Sequence, residues 1–304
     1  MSKSGNFFLF LIPALIWGST WFVITFQLGN VDPLVSVSYR FLIGGIVLML
    51  YAQIRKLPMR FTLGEHARAL QQGILLFGLN YWLVYLSEQN LTSGLVAVAF
   101  STLIFFNIGF GAIFLKAEIN ARVVVGAVLG LLGTVLIYKT EFSNFKSSPE
   151  YILALVFAIG SIIFASLGNI TSAVNQHKKM PVIQTTAYGM VYGALSMALI
   201  ALLMGKPFTI DTSVPYLVSL TYLSIFGSVI AFTAYLTLIG RVGAGKAAYT
   251  IVIVPVVAIA ISTIFEGYKL DGFAIGGIGM LVLGNVIAMF KKRSSNKIVG
   301  NTTK

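Results

Sequence analysis

Of the 21 basic and nine acidic residues in this chain, one lies deep inside an apolar run: Arg40, eight positions into the stretch 33–54. Placing an arginine at the centre of such a helix costs at least about 2.5–3.5 kcal/mol on insertion scales. Two roles fit that cost. The planar guanidinium fork can hold a solute carboxylate or another anion, or the charge is structural and bonds backbone carbonyls or reaches toward Asp32. Ser36, Arg40 and Gly44 share a helix face at i, i+4, i+8 spacing, so that face is polar and turned inward. Aromatic residues recur at similar spacing. Trp17 and Trp21 are one turn apart; Tyr81, Tyr85 and Glu88 form a stripe, as do Gln184, Tyr188 and Tyr192; Ser228 and Tyr235 share a face; Tyr249 and Thr250 are adjacent. A buried tyrosine hydroxyl needs a partner, so such a set suits a cavity that takes an apolar or aromatic solute with a polar head. The competing role is the aromatic belt where helices leave a bilayer. Tyr51, Tyr138, Tyr216 and Phe290, near run ends, are assigned to the belt; Tyr188, Tyr192 and Tyr249 are assigned to the cavity. Asn80, Asn107 and Asn169 fall mid-run, where an amide either joins two helices or touches a solute.

The missing residue types narrow the chemistry further. The chain has no cysteine, which excludes disulfides and thiol catalysis. Its two histidines, His66 and His177, lie in polar connections, so no metal site and no cofactor is expected. No glycine run has phosphate-loop spacing. No Asp or Glu falls within an apolar run, and Glu88, at the end of one, is the single acidic candidate for a proton relay.

The elements that must position these residues are set by composition. Hydrophobic residues make up 57% of the 304 and charged residues 10%, against about 25% charged in soluble domains. Mean hydropathy is +0.90. Such a chain cannot cover a soluble surface, which excludes a cytosolic enzyme, a nucleic-acid-binding domain and a disordered chain. Ten runs approach the roughly 20 residues needed to span a bilayer: 7–26, 33–54, 69–87, 92–115, 121–138, 151–174, 181–204, 215–238, 243–264 and 272–290. The first has no cleavage site after it and reads as a retained helix. Sixteen of the 21 basic residues fall on the N-terminal side of the alternating connections, so both termini are expected in the cytoplasm. The +12 net charge is read as this topology signal, with no nucleic-acid partner.

The two halves resemble each other at a spacing of about 150 residues. Pro33 matches Pro181, Gly45 matches Gly193, Phe77-Gly78 matches Phe226-Gly227, Gly94 matches Gly243, Glu118 matches Glu266, and Gly126 and Gly133 match Gly277 and Gly284. Tyr188 takes the repeat position of Arg40. Five helices per half is an odd number, so the second half enters the membrane from the other side, as an inverted repeat. The fold class expected is an all-α integral membrane protein of ten transmembrane helices. Residues 1–140 form the first repeat, 149–293 the second, and 294–304 a basic cytoplasmic tail.

Short motifs in both halves carry a family resemblance. In the first half they are Leu15-Ile16-Trp17-Gly18-Ser19-Thr20, Arg40-Phe41 and Leu115-Lys116-Ala117-Glu118; in the second, Gly243-Ala244-Gly245-Lys246-Ala247-Ala248, Val254-Pro255-Val256-Val257 and Phe265-Glu266-Gly267. On these the chain resembles ten-helix members of the drug/metabolite transporter superfamily with two EamA-type repeats. The family often carries a proline in the fourth helix; here Phe105-Phe106-Asn107 stands there, so the first half is expected to lack the kink that Pro255 gives the ninth helix. The resemblance implies export or exchange of small metabolites, often amino acids. The expected function is a secondary transporter in the inner membrane, with a solute cavity between the repeats lined by helices 1–4 and 6–9 and with helices 5 and 10 outside. The alternative is a non-transporting scaffold or sensor subunit, or a channel. The candidate solute contacts are Trp17, Trp21, Arg40, Asn80, Tyr81, Tyr85, Asn169, Tyr188, Tyr192, Ser228, Tyr235 and Tyr249, with Pro255 as a gating kink. Facilitated transport or exchange is favoured over proton coupling. The partners are a small-molecule solute and the lipid bilayer, and the chain is a monomer or a homodimer paired through the glycine faces of helices 5 and 10.

Overall fold

The computed structural model describes residues 3–91, 93–137, 139, 148–265 and 271–289. Tyr138, Glu141, Lys146, Glu266, Lys269, Phe290 and the tail 294–304 lie outside the described residues. The described residues are helical throughout, joined by turns and short connections. In order, the helices are α1 (Lys3–Ile24), α2 (Pro33–Ile54), α3 (Leu63–Gln72), α4 (Asn80–Glu88), α5 (Ser93–Ser101), α6 (Leu103–Leu115), α7 (Ala121–Ile137), α8 (Pro149–His177), α9 (Val182–Leu203), α10 (Val214–Tyr222), α11 (Ala231–Val242), α12 (Ala244–Ala247), α13 (Tyr249–Phe265) and α14 (Gly272–Met289). Wide π-helical turns, Gly73–Leu79 and Leu223–Ile230, join α3 to α4 and α10 to α11. They sit about 150 residues apart, at matching places in the two halves.

Among the described residues, six helical stretches are long and apolar enough to cross a membrane: Gly5–Gln27, Pro33–Ile54, Val96–Leu115, Pro149–His177, Val182–Leu203 and Val214–Val242. Ala121–Ile137, Ala244–Ala258 and Gly272–Ala288 are shorter apolar helices. The third run, 69–87, meets neither description, because it carries Gln71, Gln72 and Asn80. The last two are buried. Its polarity therefore faces the protein interior.

Helix ends follow local chemistry. The Asp32 carboxylate accepts from the Leu34 N–H at 2.9 Å, with Pro33 in the first turn, and Ser148 accepts from Tyr151 N–H at 3.3 Å ahead of Pro149. Thr62 and Glu65 form a reciprocal capping box at α3. The αL residue that closes α2 is Lys56 (φ 51°), and the one that closes α9, 149 positions later, is Gly205 (φ 67°). Lys179 (φ 63°) closes α8 in the same way. Lysine tolerates this conformation less well than glycine, but its charge also complements the carbonyl end of the helix.

Two pairs of helices are welded by glycine. A Cβ on Gly126 would lie 2.5 Å from Gly284 O, and one on Gly284 would lie 2.5 Å from Gly126 O; Gly133 and Gly277 are related in the same reciprocal way, also at 2.5 Å. Thus α7 and α14 touch backbone to backbone. Gly126, Gly133, Gly277 and Gly284 are thus used within one chain, whereas Gly272, Gly276 and Gly279 of α14 meet nothing within 4 Å. The other weld joins α2 to α9, where a Cβ on Gly45 would meet Val191 N at 3.0 Å, while Gly193 faces Gly73 O at 2.7 Å.

The fourth run, helical and apolar over Val96–Leu115, carries a one-residue interruption without a proline. It breaks at Thr102, between α5 and α6. The Thr102 hydroxyl donates to Ala99 O at 2.6 Å and the Ser101 hydroxyl to Ala97 O at 3.1 Å. These hydroxyls compete for the carbonyls the helix needs. In the second half the corresponding run breaks between α12 and α13, and Pro255 lies inside α13.

Candidate functional site

A small cavity of about 50 Å³ lies where helices of both halves meet. From the first half come Trp17, Thr20, Trp21 and Ile24 of α1, Leu76 of the first π turn, Asn80, Tyr81 and Val84 of α4, and Phe100 and Leu103 on either side of the α5–α6 break. From the second come Ala165 and Asn169 of α8, Phe232 and Tyr235 of α11, and Ile251 and Val254 of α13. Phe232 is the hub: its ring centroid is 5.0 Å from those of Trp17 and Phe77, and 6.0 Å from Tyr81. Trp17 also stands edge-on to Tyr235 at 5.0 Å and donates its indole N–H to Gly227 O at 3.1 Å. Trp21 packs on Phe100. Binding sites for small molecules run to about 300–1,000 Å³, so the cavity as it stands is smaller than such a site.

The π turns and Pro255 shape it. The first π turn presents Leu76 and leads into Asn80, whose amide returns to Leu76 O at 3.1 Å. The second places Gly227 against α1 and α2: a Cβ there would lie 3.1 Å from Thr20 Cγ2 and 3.2 Å from Arg40 Nη2. A side chain there would press on both neighbours. Pro255 has no N–H, so the Ile251 carbonyl, four residues back and at the cavity wall, loses its helical donor.

Six expected solute contacts are brought together at the cavity: Trp17, Trp21, Asn80, Tyr81, Asn169 and Tyr235. The other six are not. Arg40 and Ser228 lie one layer behind Tyr81. The guanidinium carbon sits 4.4 Å from the Tyr81 ring centroid, and Arg40 Nε donates to Ser228 Oγ at 3.0 Å. Arg40 does not reach Asp32, which pairs instead with Lys206 at 3.1 Å. Tyr85 is buried beyond the same layer. Tyr188 and Tyr192 are at the opposite end of α9 from the cavity's depth: Tyr188 donates to Met59 O at 2.8 Å and Tyr192 bonds His66 Nδ1 at 2.7 Å, with Phe61 stacked nearby. Tyr249 donates to Val123 O, in the packing between α13 and α7. These three satisfy their hydroxyls between helices or on loops, which spacing along one helix does not disclose. Helices α2 and α9 therefore contribute no cavity wall, against expectation, because the glycine weld holds them face to face. Tyr216, assigned to the interfacial belt, is buried and bonds Ser36 Oγ at 3.1 Å. Tyr51 is exposed. Thr20, Phe100, Phe232 and Ile251 were missed. Thr20 sits inside the Leu15–Thr20 motif, but nothing in the local pattern of the other three separates them from ordinary core.

A second, larger hollow of about 370 Å³ opens toward the end of the bundle that carries the lysine-rich connections, with Asn107, Gly111, Glu118, His177, Gly243 and Lys246 among its walls. One polar layer divides it from the central cavity. Ser166 donates to Asn107 Oδ1 at 2.7 Å, Asn169 Nδ2 lies 3.5 Å from both Asn107 Oδ1 and the Tyr235 hydroxyl, and Asn107 Nδ2 lies 3.4 Å from Ala244 O. The far end is laced by contacts between the halves. Gln27 donates to Tyr216 O and Ser219 Oγ at 3.0 and 2.6 Å, Asn30 to Asp211 at 2.9 Å, and Lys206 pairs with Asp32. The Asn30 amide and the Ser213 N–H hold the exposed Asp211 carboxyl below the usual range.

This arrangement has relatives. The EamA-like transporter family model matches residues 4–139 and again 152–290. The chain belongs to the EamA-like transporter family. Over 290 residues it is 30% identical to an uncharacterized inner membrane transporter, YedA, of Escherichia coli (strain K12), covering 91% of this chain and 88% of that one. It is 22% identical over 300 residues to a protein of Salmonella typhimurium named "Probable amino-acid metabolite efflux pump", covering 95% and 96%. A solved crystal structure matches with a TM-score of 0.78 at 18% identity, over 95% of this chain and 97% of the other, a likeness of fold. The family model's two matches fall on the two halves that meet at the cavity, so this EamA-family chain builds its central wall from both matched segments.

Proposed function

We propose that this EamA-family protein is a secondary transporter that moves a small metabolite, an amino acid or a similar solute, across the inner membrane by alternating access. The single observation that carries the reading is the small aromatic cavity where the two halves meet. It is bounded at the far end by hydrogen bonds between the halves and separated by one polar layer from a larger hollow at the basic end. A solute that entered from the hollow would need only the Asn107–Ser166–Asn169–Tyr235 layer to part. Release on the other side would need the lacing at Gln27, Asn30 and Asp32 to undo. Trp17, Tyr81 and Phe232 offer ring faces to an apolar side chain, and Asn80, Asn169 and Tyr235 offer polar atoms to a head group.

Two inverted five-helix repeats supply the second state. The matching π turns, the matching αL closures at Lys56 and Gly205, and the reciprocal glycine contacts of α7 with α14 support that symmetry. Exchanging the conformations of two similar halves gives a second arrangement of similar energy, open to the other side. The basic connections support cytoplasmic termini, and on that reading the hollow faces inward. The named efflux pump among the relatives supports an amino-acid-like solute and outward flux.

The test is counterflow in proteoliposomes, with labelled amino acids, organic anions and cationic dyes outside and the same unlabelled solute trapped within. A carrier shows saturable exchange of one class, and Asn169→Leu or Tyr235→Phe lowers it while the folded protein is retained. Flux that rises linearly with concentration, without counterflow, would mark a channel and refute the carrier mechanism.

A further inference from the structure

The two most conspicuous polar groups in the interior play no part in the cavity wall. Arg40 is 0% exposed and Glu88 is 7% exposed. Arg40 spends its Nε on Ser228, while Nη1 and Nη2 have no hydrogen-bond partner among the described residues; neither does either Glu88 carboxylate oxygen, nor the Tyr85 hydroxyl between them on α4. The sequence placed Glu88 outside the membrane-facing core, at a helix end. Here its side chain is turned into the protein. The Arg40 guanidinium lies against the Tyr81 ring, and Tyr81, Tyr85 and Glu88 follow one another along one face of α4, yet no Arg40–Glu88 N···O approach falls within 4.0 Å. Buried charges normally contact and saturate each other, and a buried ion left without hydrogen bonds gives up its charge. Arginine cannot give up its proton in proteins. A carboxylate can accept one.

We propose that Glu88 is a proton-exchange site with Arg40 as its internal counter-charge. The carboxyl holds a proton while it stands apart from the guanidinium, as here, and releases it when the two groups close into an ion pair. Uptake converts carboxylate and hydronium to carboxylic acid and water, and release is the reverse, so no other reactant is required. The surroundings leave Arg40 as the dominant partner. On α4 itself the neighbours are Tyr81 and Tyr85. From α2 comes Arg40, and α5 carries no ionisable residue. The long helix α8, which packs along α4, brings Glu150 and Tyr151 in its first turn, and Glu150 is exposed. Tyr216 of α10 acts on Tyr85. Arg40 also touches the transport path. Its guanidinium lies against the Tyr81 ring that lines the cavity and beside Gly227, whose carbonyl holds Trp17. A change in Arg40–Glu88 distance therefore moves cavity residues. On the transport reading, that links flux to a pH gradient.

Two measurements test this, and only the second rests on the transport reading. Infrared difference spectra of the purified full chain across pH report buried carboxyls by their protonated C=O stretch. The expected result is a titrating band that is missing from Glu88→Gln, returns in Glu88→Asp, and shows its midpoint displaced by at least tenfold in proton concentration in Arg40→Gln or, should that variant misfold, in Arg40→Met. An unchanged band in Glu88→Gln, or an unmoved midpoint in the Arg40 variants, overturns the site. The second measurement loads proteoliposomes with labelled phenylalanine under an imposed pH gradient. The ratio of gradient-driven accumulation to equilibrium exchange is expected to fall at least tenfold in Glu88→Gln. A preserved ratio overturns the coupling. Absence of phenylalanine exchange in the native protein counts against the transport reading instead, and the infrared titration then decides the proton site alone.

Discussion

The reciprocal glycine contacts between α7 and α14 make a prediction whose size follows from distances. In Gly133→Ala the new Cβ would stand 2.5 Å from Gly277 O and 2.9 Å from Leu281 N. Ordinary van der Waals contact begins near 3.4 Å, so the helices must draw apart by about 0.9 Å locally. Both obstacles are backbone atoms, which no rotamer change can remove. A radial gap of 0.5–1 Å forfeits roughly a quarter to a half of each contact's attraction, and overpacking of this kind typically costs about 1–3 kcal/mol. Gly277→Ala meets the mirror obstacle, Gly133 O at 2.5 Å, and should cost as much. The double variant is the discriminating case. One separation of the helices relieves both clashes, so its cost should stay near that of a single variant. The pair is then coupled by about 1–3 kcal/mol, in the range measured for residues in contact. Gly279→Ala, with nothing within 4 Å of its Cβ position, is the control. It should be neutral or up to about 1 kcal/mol stabilising through helix propensity. The assay is denaturant titration of the purified protein in micelles, followed by the fluorescence of its three tryptophans. Native stability in either single variant, or strict additivity in the double, would refute backbone-to-backbone packing of these helices.

Three further outcomes are expected. Asn107→Ala strips the partner of the Ser166 hydroxyl and loosens the layer over the cavity; it should cost about 1–3 kcal/mol and raise the exchange rate in proteoliposomes, and unaltered exchange would remove that layer from the path. Phe232→Ala deletes the hub ring and enlarges the small cavity, so competition assays should show relative affinity moving toward bulkier solutes, whereas an unshifted order would place the solute elsewhere. The carboxyls of Glu65 and Asp211 are held below their ordinary values by hydrogen bonds from Thr62 and from Asn30 and Ser213. They bind fewer protons folded than unfolded, so their contribution is complete at neutral pH and is lost as pH falls through the folded values, below about pH 4. Melting curves between pH 7 and pH 3 should show a drop that is shallower in Glu65→Gln combined with Asp211→Asn, and parallel curves would contradict it.

Much of this protein was legible from residue order alone. Hydropathy and length marked the apolar helices, because an apolar helix must satisfy its own backbone wherever it lies. Pro33 after Asp32 and Pro149 after Ser148 marked helix starts, because capping is decided within four residues. The glycine-rich fifth and tenth runs read as faces for close packing, though not as partners of each other. Half of the candidate cavity residues were found, through the aromatic and amide side chains on α1, α4, α8 and α11.

What the sequence could not supply was partnership across the bundle. A tyrosine at helical spacing reads the same whether its hydroxyl meets a solute, as Tyr235 is placed to do, or a distant backbone carbonyl, as Tyr188 and Tyr249 do. Phe232 and Ile251 are ordinary apolar residues until six helix segments converge on them. Thr102 breaks a helix without proline, through a hydroxyl bond three residues back. Glu88, at the end of an apolar run, reads as solvent-facing from its position, and only the packing of α4 against α2 and α8 turns it inward toward Arg40. Local rules fix caps, turns and spans because their energies close within a few residues. The cavity, the polar layer and the buried Arg40–Glu88 pair join residues more than forty positions apart, and their energies exist only once the helices have met.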